Sequence, residues 1–109
     1  MNATHDLREL LGNVIADGDF GMTLRTGESL IIHSRDGSRS IEQVHPTHEE
    51  IAEFLRQLTG SRGVRELRTQ GVTRFIVPFE GGVRLVGAAR SENDEAHVEI
   101  RRMVGNSRS

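Results

Sequence analysis

"DGSRSIEQVHPTHEEI", residues 36–51, holds a change of regime. Asp36-Gly37 is a hairpin-turn dipeptide, because glycine accepts the positive φ that a tight turn between antiparallel strands demands. Beyond it, Thr47 and Glu50 stand at capping-box spacing, ahead of an apolar stripe at Ile51, Phe54, Leu55 and Leu58. That combination starts a helix. The stretch therefore leads out of a strand pair into a helix, and it sets the class of fold.

Towards the N-terminus, "DLRELLGNVIADG" places Leu7, Leu10, Leu11, Val14 and Ile15 on one helical stripe. Asp6 with Glu9 reads as the start and Gly18 as the stop, so a first helix is predicted over 7–16. Met22 with Leu24, then Leu30 to Ile32, then Ile41 are short apolar pieces separated by Thr26-Gly27-Glu28 and Asp36-Gly37. Two or three antiparallel strands follow. Towards the C-terminus the second helix is expected to close at Gly60. Val64 to Thr69 has only Val64 and Leu67 as apolar anchors and fits a short helix or a strand, the helix being favoured.

"VTRFIVPFEGGVRLVGAAR", residues 72–90, reads as a hairpin. Phe75 and Val77 share a face, Glu80-Gly81-Gly82 makes the turn, and Val83 and Leu85 return. Pro78 suits an edge or a strand end. After the polar turn "SENDE", "AHVEIRRM" alternates as a strand through Val98 and Ile100, yet also fits a helix through Ala96, Ile100, Met103 and Val104. The expected fold class is α/β (α+β): a small antiparallel sheet of five to six strands with two to three helices packed on it. A single domain spans 1–104, with 105–109 a disordered tail.

Composition bounds the function. With 109 residues and 35% apolar content, there is material for one modest core. A formal charge of −2 supplies no bulk field for nucleic acid or an anionic membrane. No cysteine means no disulfide, no thiolate metal site and no thiol nucleophile. No apolar run is long enough for a signal peptide or a membrane span, so a cytoplasmic location is expected. All 14 basic residues are arginine, which reflects coding bias in a GC-rich genome more than a need for guanidinium at every position.

The order of motifs resembles the N-terminal, PAS-like domain of the type IV pilus retraction and type II secretion motor ATPases, the twitching-motility ATPase family. The residues that bear the resemblance are "ADGDFGMTL", Gly27-Glu28, Asp36-Gly37, "PTHEEIAEFLRQL" and "QGVTRFIVPFEGGVRLV", together covering about residues 7 to 103. There are departures. Phe20-Gly21-Met22-Thr23 stands where the family usually has Ser-Asp-x-His, and Arg74 replaces a common acid before the later Phe. The resemblance implies a protein partner, with Arg84, and less directly Arg90 and Arg101, matching the arginines that reach nucleotide held by the ATPase domain. The chain itself has no G-x-x-x-x-G-K-[ST] loop and no lysine to complete one. It reads as a scaffold, either a stand-alone relative or an excised module, and the start at Met1 with a polar close fits the former.

A second resemblance is to roadblock/longin-type domains, homodimeric partners of small GTPases. It requires a strand at 64–69 and a helix at 96–104.

Candidate chemistry is thin. His45 and His48, with His33 and His97, invite a metal, but at a helix start the two imidazoles need not share a face, and solvated cap residues are the simpler account. Asp36, Asp94, Glu49, Glu50 and Glu53 show no spacing that separates an acid from a base. Ser29, Ser34, Ser38 and Ser40 lack a nucleophile elbow. Gly81-Gly82 and Gly60-Ser61-Arg62-Gly63 lack the strand-loop-helix setting of a phosphate cradle. Arg62, Arg65 and Arg68, if helical, project on one side, and Arg101-Arg102 form a second basic pair. The expectation is a non-enzymatic interaction or regulatory module with no cofactor, no metal and no nucleic acid. It docks on a protein, either a hexameric motor ATPase or a small GTPase, or self-associates, through Arg84, Arg90, Arg101, Arg62, Arg65 and Arg68.

Overall fold

In a computed structural model, residues 6–103 are described. The expected tail at 105–109 lies outside them. Helix α1 (Leu7–Ala16) begins where Asp6 accepts a hydrogen bond from the Glu9 amide. It ends in a Schellman-type turn in which the Asp19 and Gly18 amides bond back to Val14 and Ile15, with Gly18 at φ 87°.

Three strands follow: β1 (Gly21–Arg25), β2 (Leu30–Ser34) and β3 (Gly37–Ile41). Gly27 (φ 75°) sits in the turn between β1 and β2; between β2 and β3 the two-residue turn is Arg35-Asp36, one residue earlier than the expected dipeptide, and Gly37 (φ 123°) opens β3 opposite Ser34.

Helix α2 (His48–Gln70) opens with the full capping box: Thr47 accepts from the Glu50 amide, and Glu50 reaches back to the Thr47 amide. Gly60 does break the helix, at φ 75° and ψ −172°, but the helix does not close there. It resumes over 61–70, because Val64 and the buried Leu67 give the second segment its own anchorage on the core.

Gly71 (φ 79°) ends α2 and leads into β4 (Val72–Pro78), a short 3-10 turn at Glu80–Gly82, then β5 (Arg84–Glu92) and β6 (Glu95–Arg102). Asn93 and Asp94, both at positive φ, form the two-residue turn between β5 and β6. The C-terminal segment is thus a strand and Val64 to Thr69 is helical, the reverse of what the roadblock arrangement requires.

The six strands form one antiparallel sheet in the order β3-β2-β1-β6-β5-β4. The fold is α+β, with two α-helices and six strands among the described residues. Met22 and Leu24 of β1, Leu30 and Ile32 of β2, Val98 and Ile100 of β6, and Leu85 and Ala89 of β5 are buried on one face. Leu7, Leu11, Val14 and Ile15 from α1 and Ile51, Phe54, Leu55 and Leu67 from α2 complete that core. Phe75 lies across Gly87 of β5, where a Cβ would come 2.5 Å from the ring. Both helices therefore cover the same side of the sheet.

Candidate functional site

Strand alternation sends the intervening residues to the opposite face, which neither helix core occupies. The register assembles them into rows running across the sheet. One row is Ile76, Val86, Arg101 and, through β1, His33 and Ser38; the next is Arg74, Ala88, Glu99, Thr23, Ile31 and Ser40; a third is Val72, Arg90, His97 and Arg25. Arg84 lies at the margin, paired with Pro78. This open face brings Arg84, Arg90 and Arg101 together, and adds Arg25 and Arg74.

The charge is not uniform. Near Arg25 and Arg90 it is offset by Glu28, Glu92 and Glu95, which line a depression with them at the strand ends. Arg25 lies 3.9 Å from Glu28, and Arg90 Nη2 is 3.4 Å from His97 Nδ1. At the other end Arg74, Arg84 and Arg101 have no ion pair among the described residues, and Glu99 is the single nearby acid. Its Oε2 sits 3.1 Å from His97 Nε2. Arg74, Arg101 and Glu99 flank a groove of about 590 Å³ over Ile76, Val86 and Ala88, with Arg84 outside its lining. Ile76 is 57% exposed and Val72 38%.

The polar half of the face is self-satisfied. His33 bridges two hydroxyls, Thr23 Oγ1 at 2.7 Å from Nε2 and Ser38 Oγ at 2.8 Å from Nδ1, in either tautomer. Thr23, in place of the His found in the resembled motif, is thereby only 7% exposed.

The other expected residues stand elsewhere. Arg62, Arg65 and Arg68 lie on the second segment of α2, across the sheet from the open face, with Arg62 3.4 Å from Glu66. Arg101 and Arg102, adjacent in sequence, point to opposite sides. Arg102 turns to the helix side and donates through Nη2 to the Ile15 carbonyl at 2.9 Å. His45 bonds the Glu42 carbonyl, and among the described residues no three His, Asp or Glu side chains gather as a metal set. The sequence reading missed Arg74 and Arg25. For Arg74 the signal was present: Thr73 and Phe75 on either side are core-directed, so the arginine between them must face outward.

No protein-family model and no curated protein matches the chain. Solved structures do. The ATPase DotB of Legionella pneumophila superposes with a TM-score of 0.72 at 13% identity, over 89% of this chain and 28% of that one. The pilus retraction motor PilT with bound ADP superposes at 0.75 and 10% identity, over 94% of this chain and 30% of that one. The chain thus spans less than a third of either motor. Among the described residues no helix is long and apolar enough to cross a membrane. At these identities the likeness is one of fold: this chain folds as a segment of such motor ATPases does.

Proposed function

We propose that this chain is a non-enzymatic, cytoplasmic interaction module, related to the N-terminal domain of pilus and secretion motor ATPases, that docks on a protein partner through the open face of its sheet. The observation that carries the reading is the trio Arg74, Arg84 and Arg101, without an ion pair among the described residues and on the same face as an uncovered apolar strip, on a fold shared with DotB and PilT. Three arginines against the one acid beside them, Glu99, leave positive charge suited to an external acid. The partner in this reading is a motor ATPase, and the absence of any lysine supports a role without nucleotide chemistry of its own.

The test is a binding titration of wild type, Arg84→Glu and Arg101→Glu against the motor ATPase encoded nearest its gene, with melting temperature followed in parallel. Weaker binding at unchanged stability supports the reading. Binding that survives both charge reversals overturns it.

A further inference from the structure

We propose that β4 is a strand-addition site: an extended acidic segment of a partner pairs with the outer edge of Val72, Arg74 and Ile76 and sets a carboxylate against Arg74. The proposal rests on the open face being a docking surface and names the mode of docking.

The ladder geometry identifies the free groups. The Phe79 amide donates to the Val83 carbonyl at 2.7 Å, and the Ser91 amide to the Gly71 carbonyl at 3.0 Å. Hydrogen-bonded pairs alternate with non-bonded ones along an antiparallel ladder, so Val77, Phe75 and Thr73 bond inward to β5. The backbone groups of Val72, Arg74 and Ile76 consequently point outward, and among the described residues no loop or turn bonds them. Side chains of the same three residues stand on the open face, so one incoming strand meets free backbone and unpaired arginine together.

The two sheet edges differ. β3 is five residues of mostly Gly, Ser and Arg, with Arg39 tied to Asp19 at 3.3 Å. β4 is seven residues, regular in register throughout and without a bulge, with exposed Val72 and Ile76. Edges left in that state pair with another strand unless charge or proline blocks them. Only Arg74 and Pro78 interrupt β4.

Arg74 decides the occupant. A second copy centred on Arg74 would set the two arginines directly opposite, which is repulsive. Moving the register one step sets Val72 against Pro78, which has no N–H; one step the other way runs Ile76 against the helical Gln70. A carboxylate opposite Arg74 instead forms a cross-strand ion pair within reach of Arg101 across the groove.

The test uses the isotope-labelled chain and an acetylated, amidated peptide of alternating Thr and Glu, as long as β4, with a Thr/Lys counterpart. The Thr/Glu peptide should shift the amides of Val72, Arg74 and Ile76. It should slow their exchange about tenfold when about nine-tenths of the chain is bound, since protection scales as 1 + [L]/Kd. Arg74→Glu should exchange the preference to the Thr/Lys peptide. Equal response to both peptides, or none at millimolar concentration, overturns the proposal. So does a peptide-free dimer with β4 amides protected, which would make a second copy the occupant. Shifts across β5 and β6 with unchanged exchange on β4 would leave the face as a docking surface and overturn strand addition alone.

Discussion

Thr73 Oγ1 donates a 2.7 Å hydrogen bond to Glu66 Oε1, joining the second segment of α2 to the edge strand β4. Thr73 is 4% exposed, so its hydroxyl has no water to turn to. That bond, and to a lesser degree the Arg62 guanidinium, holds the Glu66 carboxyl below its ordinary value of 4.5 against the opposing effect of desolvation. A carboxyl depressed on folding contributes stability that is full above the unfolded value and is lost as pH falls through the folded one. Thr73→Val should therefore be less stable than wild type at neutral pH, with the gap narrowing below pH 4.5. Denaturation midpoints of both proteins across that range check it. A gap independent of pH would assign the loss to packing.

Leu55→Ala should cost about 2–4 kcal/mol. Leu55, on α2, is fully buried in the core that both helices share with the sheet, and the rigid sheet cannot collapse into the space left behind. The measure is the free energy of unfolding in urea. A loss below about 1 kcal/mol would mean that the site relaxes.

Gly21 allows β1 and β6 to approach. A Cβ there would lie 1.9 Å from the Ile100 carbonyl oxygen, a backbone atom that cannot rotate aside. Gly21→Ala should cost about 3 kcal/mol, the upper end of overpacking, or prevent folding. The control is Gly18→Ala, where a Cβ meets nothing within 4 Å and the penalty is the backbone strain at φ 87° alone.

These residues also mark what the sequence could and could not disclose. Both helix starts, Gly18, the turn at Gly27 and, to within one residue, the turn before Gly37 were legible because caps and turns are local, set by side chains within a few positions of one another. The helix favoured at 64–69 is present, but that it continues α2 across Gly60 was not legible. A glycine at a predicted helix end is read as a stop, and only the tertiary seat of Leu67 shows why the chain resumes the helix. Arg84 was assignable to the face opposite Leu85 by alternation. That Arg74, Arg84 and Arg101 share that face depends on the registers of the β4–β5 and β5–β6 hairpins, and the segment of Arg101 fitted a helix as well as a strand.

Calorimetry with Mg-ATP should give no binding heat at micromolar protein. The sequence offers no P-loop lysine, and the glycine pair at 81–82 sits in a 3-10 turn between antiparallel strands, with no helix N-terminus to receive a phosphate. Saturable micromolar binding would require a site outside the arrangement described.

Arg101 and Arg102 give the last contrast, because neighbours on a strand must do opposite work. Arg102 lies under the end of α1, where its guanidinium donates to the Ile15 carbonyl at 2.9 Å. That carbonyl already accepts from the Gly18 amide, so Arg102 takes up its second lone pair, and α1 has no basic residue of its own in its last turn. Arg102→Ala should lower stability by about 1–2 kcal/mol, the range of a charge-assisted bond moderated by partial exposure. Arg101→Ala, exposed and without an ion pair among the described residues, should stay within about 0.5 kcal/mol of wild type. In a titration with an acidic partner the order should reverse, Arg101→Ala weakening binding and Arg102→Ala leaving it unchanged at temperatures where the chain is folded. If both substitutions destabilise alike, the alternation across β6 that defines the open face is not the one described.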